Sequence, residues 1–102
     1  MKLYISGPMS SVEFLNFPAF NAMAATLRSH GHEVENPAEL NPDPNADWAD
    51  CMRVDLLALD TCEGIVMLAG WENSPGAQIE RLWAIRTGKQ VFSTPWVHVV
   101  AA

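Results

Sequence analysis

Two acidic side chains of this 102-residue chain stand among apolar neighbours, and together they suggest chemistry. Drawn on a helical wheel, Asp55 has Trp48, Cys51, Met52, Ala58 and Leu59 beside it, at spacings of seven, four and three. A carboxylate in the middle of such a stripe must be paired, protonated or lining a cavity, because burying it bare is costly. A bond to backbone groups, or to an arginine such as Arg53 or Arg81, would satisfy it equally well. Glu80 lies in the stretch "MLAGWENSPGAQIERLWA", between Trp83 and Ala84 on the wheel, with Gly76 and Ala77 one turn earlier. Those small residues leave room for a ligand, although a half-buried structural acid fits the same pattern. Two carboxylates on one crevice would supply a nucleophile and an acid, the pairing that cleaves a bond at a sugar's anomeric carbon.

Several neighbours carry a second reading of the same kind. Ser74, Pro75 and Gly76 are a helix N-cap, a first-turn proline and a flexible early position. The Ser74 hydroxyl and the first-turn N–H groups would also hold a phosphate or a sugar hydroxyl. Trp71, in the preceding loop, either packs in the core or stacks on a base. Tyr4 reaches the crevice if its strand is central and is otherwise a core residue. Asp43, Asp47, Asp50, Glu33 and Glu35 lie in polar surroundings and read as solvated; Asp47 and Asp50 also suit the positive end of a helix dipole.

The elements that must position these groups alternate. Lys2–Ser6 is a short β-type run closed by Gly7-Pro8, and residues 8–16 form a loop. Asn16 is placed to cap a helix that has Pro18 in its first turn, repeats Phe20, Met23, Ala24 and Leu27, and ends at Gly31. "HEVEN" is a second strand and "PAELNPDPNAD", residues 37–47, the longest loop. A helix over 46–60, the doubly buried strand "GIVMLAG", a helix over 75–87 stopped by Gly88, and the strands "QVFS" and "WVHVV" follow. The alternation predicts a single α/β domain over 1–102. It would be Rossmann-like (flavodoxin-like), a three-layer sandwich with a mostly parallel sheet of about five strands. Ligands of such sheets bind beyond the carboxyl ends of the strands, where the loops from Gly7 and from Gly70 open.

Composition narrows the partners. The apolar share of 49% and charged share of 18% argue for a compact fold rather than disorder. A net charge of −6 with scattered basic residues argues against a nucleic-acid polymer as partner, while a single small anion remains open, because a helix N-terminus needs no lysine to hold it. The start "MKLYISGPMS" is too short for a signal peptide, and no apolar run approaches a membrane span. Cys51 and Cys62 fit no metal spacing and read as reduced core thiols, so a cytoplasmic location is expected and neither metal nor cofactor is called for. His30 and His32 read as surface residues at the far end of the sheet.

In order along the chain, "YISGPM", "NFPAFN", "GHEVENPAE", "MRVDLLAL" and "GWENSPGAQIE" resemble the nucleoside 2-deoxyribosyltransferase-like superfamily, most closely its short bacterial and phage members. The resemblance implies cleavage of the N-glycosidic bond of a deoxynucleoside or its 5′-monophosphate, by hydrolysis or base transfer, with retention. It assigns the nucleophile to Glu80, its orientation to Tyr4 and the acid to Asp55. It also implies a homo-oligomer in which residues 93–98 complete a neighbour's site. Two departures stand out. Ser74 occupies the place where transferases carry a sugar-binding aspartate; the 2′-deoxynucleoside 5′-phosphate N-hydrolases look more like this chain, with a serine there that helps bind the 5′-phosphate. The hydrolases' Gly-Ser pair after strand one is Gly7-Pro8 here, and proline has no N–H to offer a phosphate. A nucleotide-binding module without turnover remains the alternative reading.

Overall fold

The apolar and β-branched runs pair into one sheet in the computed structural model, which describes residues 1–10 and 12–93. Its strands are β1 (Lys2–Ser6), β2 (Glu33–Glu35), β3 (Gly64–Met67) and β4 (Gln90–Ser93). All pairings are parallel, in the order β2-β1-β3-β4. β1 is therefore central, with Tyr4 opposite Glu35 on one side and Ile65 on the other. The described sheet has four strands rather than five; the fifth expected strand, residues 96–100, lies outside the described residues.

Parallel neighbours need crossovers, and α1 (Phe17–Ser29), α2 (Pro37–Leu40), α3 (Trp48–Asp60) and α4 (Pro75–Arg86) provide them. Side chains alternate along β1, so Leu3 and Ile5 face one layer and Tyr4 and Ser6 the other. Leu3, Ile5 and Val66 pack on Phe20, Ala24, Leu27 and Ala38 of α1 and α2. Tyr4, Ile65 and Met67 pack on Leu59, Ala77 and Ala84 of α3 and α4. With helices on both faces, β3 is buried throughout and β1 from Leu3 onward, which is why "GIVM" reads as a continuous apolar run. This is the expected three-layer Rossmann-like α/β sandwich, with the strand order reversing at β1 and β3.

The expected stops hold. At Gly31 (φ 87°) the His32 N–H bonds Leu27 O at 3.2 Å and the Gly31 N–H bonds Arg28 O at 3.0 Å. Gly88 (φ 78°) repeats the pattern, with Lys89 N–H on Ala84 O at 2.9 Å and Gly88 N–H on Ile85 O at 3.2 Å. Two local expectations need correction. Pro37–Leu40, read as loop, is a one-turn helix, because the buried Asn36 side chain accepts the Ala38 N–H at 3.0 Å and Pro37 is preset for a first turn. Asn16 does not cap α1 with its side chain. It is left-handed (φ 57°), and its Nδ2 donates to Pro8 O at 2.8 Å.

The loops above the sheet are tightly drawn. Phe14, Leu15 and Asn16 all have positive φ, a run that costs roughly 1–2 kcal/mol per residue. Pro8 lies against Gly70 (φ 89°), where a Cβ would come within 3.3 Å of Pro8 Cγ. Gly7 has less room still, since a Cβ there would sit 2.8 Å from Leu68 Cβ. The chain leaving β1 can thus pass the end of β3 only with glycine at this position. Gly7→Ala is expected to lower stability by about 1–3 kcal/mol through overpacking, read as a reduced melting temperature.

Candidate active site

The site is built on the face of β1 that carries Tyr4 and Ser6. α4 starts at Ser74, whose Oγ accepts the Ala77 N–H at 3.3 Å, and Pro75 follows in the first turn. From that start, Ala77, Glu80 and Ala84 fall on the buried stripe of the helix. The two alanines let α4 lie close to the sheet, and Glu80 is carried onto β1 with only 5% of its surface exposed. Tyr4 donates its hydroxyl to Glu80 Oε2 at 2.6 Å, and Ser6 donates Oγ–H to Oε1 at 2.6 Å. Both carboxylate oxygens are held.

Asp55 arrives from α3, which is capped by Asp47 accepting the Asp50 N–H at 3.3 Å and which buries Met52, Asp55 and Leu59. Asp55 is 6% exposed, and its Oδ1 accepts from Asn41 Nδ2 at 2.7 Å. Asn41 is the C-cap of α2, so the helix that replaced the expected loop is what supplies this donor. The arginines considered as partners lie elsewhere: Arg53 is bonded to Asp50, and the Arg81 guanidinium stacks 4.7 Å from the Trp71 ring centroid.

Burial dominates the electrostatics. Desolvation pushes Asp55 up to about 6, against hydrogen bonds from Asn41 and Tyr4 that pull it down. Desolvation likewise pushes Glu80 up to about 7, opposed by Ser6 and Tyr4 and assisted by the negative charge of Asp55. Tyr4 is raised well above its ordinary value, first by burial and then by the Glu80 charge, so it stays a protonated donor at every physiological pH. The two acids titrate as a coupled pair around neutrality.

A cleft of about 180 Å³ opens over this pair, room for on the order of a dozen water-sized groups. Asp55, Glu80, Ser74, Gly7 and Gly76 all line it, so five residues singled out from the sequence come together there; Tyr4 lies behind Glu80. Gly76 sits where the two helices approach: a Cβ there would lie 3.3 Å from Met52 Sδ and 3.7 Å from Trp48 Nε1. Trp71 is not brought to the cleft: it packs on the core cluster beneath α3 and α4, under Arg81. The aromatics that do line it are Phe17, Phe20 and Trp48, the last on the same helical face as Met52 and Asp55.

Sequence reasoning missed Ser6, Asn41 and the cleft positions of Trp48 and Asp43. Ser6 had a signal, because it lies two residues from Tyr4 on the same face of the strand. Asn41 had none, since its role depends on the turn that α2 makes. Of residues 93–98, expected to serve a neighbouring subunit, only Ser93 lies within the described residues, at the end of β4. Among the described residues, no cluster of three or more His, Cys, Asp or Glu side chains is disposed to hold a metal ion. No helix among them is long and apolar enough to cross a membrane.

A central-strand tyrosine and two buried carboxylates thus stand at the switch point of a parallel sheet, the place where α/β folds of this kind hold their ligands. The chain belongs to the family described as "Domain of unknown function (DUF4406)", whose match spans residues 1–93. No curated protein matches it by sequence. Solved structures that share the fold include two enzymes. One is a CMP N-glycosidase from Clostridium botulinum, BcmB, at 19% identity and a TM-score of 0.63, covering 91% of this chain and 67% of that one. The other is a 2-desoxiribosyltransferase from Leishmania mexicana, at 16% identity and a TM-score of 0.71, covering 90% of this chain and 62% of that one. This chain thus spans about two thirds of the length of each, and it shares their fold.

The raised acid at Glu80 links stability to pH. Its ordinary value is 4.5 and its folded value about 7, so between these the folded state holds a proton that the unfolded chain has released. The stabilisation is complete below about pH 4.5 and is lost as the pH rises through about 7. Glu80→Gln, which cannot ionise, should therefore gain on wild type from pH 4 to pH 8. The gain is on the order of 2–3 kcal/mol by the linkage constant, measured by denaturant unfolding at the two pH values.

Proposed function

We propose that this protein cleaves the N-glycosidic bond of a deoxynucleoside or its 5′-monophosphate with retention, passing the sugar to water or to a second base. The observation that carries the reading is Glu80: a buried carboxylate on a cleft, with both oxygens fixed by hydroxyls of the central strand and a second carboxyl, Asp55, on the same cleft. The N-glycosidase and desoxiribosyltransferase named among its fold neighbours support the same class of reaction.

In the first step a Glu80 oxygen attacks the anomeric carbon and the carbon–nitrogen bond breaks. The bonding pair leaves on the base nitrogen, which takes the proton of Asp55. In the second step Asp55, now ionised, takes a proton from water, or from the N–H of an incoming base, as that group attacks the same carbon and displaces Glu80. Tyr4 and Ser6 orient Glu80 in the first step and stabilise it as leaving group in the second, since hydrogen bonds to a carboxylate favour its charged form. Trp48 and Met52 offer the base an apolar wall, and Ser74 offers the sugar a hydroxyl. The protein would act in the cytoplasm as a homo-oligomer, for which Ile79, Leu82 and Ile85 of α4 and Leu57 of α3 present exposed apolar surface.

Incubation with the four deoxynucleosides and their monophosphates, with chromatography for free base, tests the reaction. Glu80→Ala should abolish base release, and Asp55→Asn should slow it by about 10²–10⁴-fold. Ligand binding without release of any base by wild type would reject turnover and leave a nucleotide-binding module. The reactive form needs Glu80 ionised and Asp55 protonated, so kcat/KM should peak between about pH 6 and about pH 7 and fall on both sides. A profile flat from pH 5 to pH 9 would remove this acid–nucleophile pair from the mechanism.

A further inference from the structure

The charge around the cleft is one-sided, and every lysine and arginine can be accounted for. The chain has six, all among the described residues, and none lines the cleft. Lys2, at the amino end of β1, lies 4.0 Å from Glu35. Lys89 donates to Cys62 O at 2.9 Å, and Arg86 is in the last turn of α4, so both also lie at the opposite end of the sheet. Arg28 is held by Glu39 with two bonds of 2.7 Å. Arg53 is paired with Asp50, and Arg81 is stacked on Trp71. His30 and His32 follow α1, away from the carboxyl ends of the strands. Three carboxyl groups, Asp43, Asp55 and Glu80, do line the cleft.

The donors that α4 could offer a phosphate are also largely spent, which leaves Ser10 and the remaining N–H groups of the loop after β1 at the cleft. A helix N-terminus binds anions through its unpaired first N–H groups. At α4, Pro75 has no N–H, Ala77 N–H is given to Ser74 Oγ, and Gln78 N–H bonds Ser74 O at 2.9 Å. The first turn therefore offers a ligand the Gly76 N–H and the Ser74 hydroxyl, and Pro8 adds no N–H from the loop after β1. A sugar hydroxyl is well served by such a set. A phosphate monoester, with a charge of about −1.5 to −2 at neutral pH, would meet acids and, among the described residues, no cation.

Resting on the glycosidic reading above, we infer that the cleft selects uncharged deoxynucleosides over their 5′-monophosphates, by carboxylate repulsion and by the absence of a cationic phosphate anchor. Asp43 sets part of this selectivity, since it lies at the exposed lip of the cleft and its Oδ1 is held by the Asn45 N–H at 2.9 Å. The preference is electrostatic, so it weakens as salt shortens the screening length.

The test follows base release and, by calorimetry, binding, for each of the four deoxynucleosides and its 5′-monophosphate, at about 20 mM and about 300 mM salt. The nucleoside should be favoured by roughly tenfold or more at low salt, with the gap narrowing at high salt and in Asp43→Asn. Asp43→Lys should move the preference toward the monophosphate. Nucleoside binding with this preference but no base release would keep the selectivity and reject the reaction. Base release favouring the monophosphate at low salt, or equal for both, would overturn the selectivity and keep the reaction. If neither compound binds, both readings fall.

Discussion

A carboxylate can be kept out of water only where its oxygens find donors, and much of this small fold is arranged to meet that condition at Glu80. Two hydroxyls have to come from one face of one strand, which places Tyr4 and Ser6 two residues apart on β1. That strand has to be central, so that a helix following β3 can lie across it. The helix has to come close, which Ala77 and Ala84 permit at 1% and 0% exposure. Remove either hydroxyl and a buried acceptor is left unmet, a loss of about 1–3 kcal/mol.

The same burial that strains the fold supplies what the proposed chemistry needs. In water both acids would be ionised at neutral pH, and neither would hold a proton for a leaving base. Desolvation raises Asp55 and Glu80 together into the range where one proton can be shared between them. Their donors differ in kind: two hydroxyls favour charge on Glu80, while an amide from a neighbouring loop steadies Asp55. On the proposed reading, stability given up at the pair is the counterpart of reactivity there, a trade that catalytic carboxylates commonly make.

Much of this was legible before any coordinates. The alternation of elements, the glycine stops and the Asp55 stripe follow from periodicities of 3.6 and 2 that each residue obeys locally. The resemblance supplied roles for Tyr4, Asp55 and Glu80 that the wheel alone left open. What escaped was set by tertiary placement. Asn36-Pro37 is a cap followed by a first-turn proline, yet three prolines nearby made the whole segment read as loop. Asn41 could be understood only once that turn existed. Trp48 and Trp71 both sit at helix or turn starts, and nothing in their spacing tells which faces the ligand. Asp43 read as solvated, and it is exposed; its place at the cleft depends on how the loop folds back over α3.

The left-handed run at residues 14–16 gives the cleft a particular mechanical character. Asn16 is tied to Pro8 O, and Pro8 rests on Gly70, so the loops after β1 and β3 and the entry to α1 are joined in one arc. Displacing any one of them disturbs the other two, and the strained backbone is held only because the arc is closed. The lip at residues 43–46 is bonded within itself, Asn45 and Ala46 both donating to Asp43. The rim thus behaves as a stiff arch facing a softer sill, with compliance concentrated on the side where Asp43 and Trp48 stand.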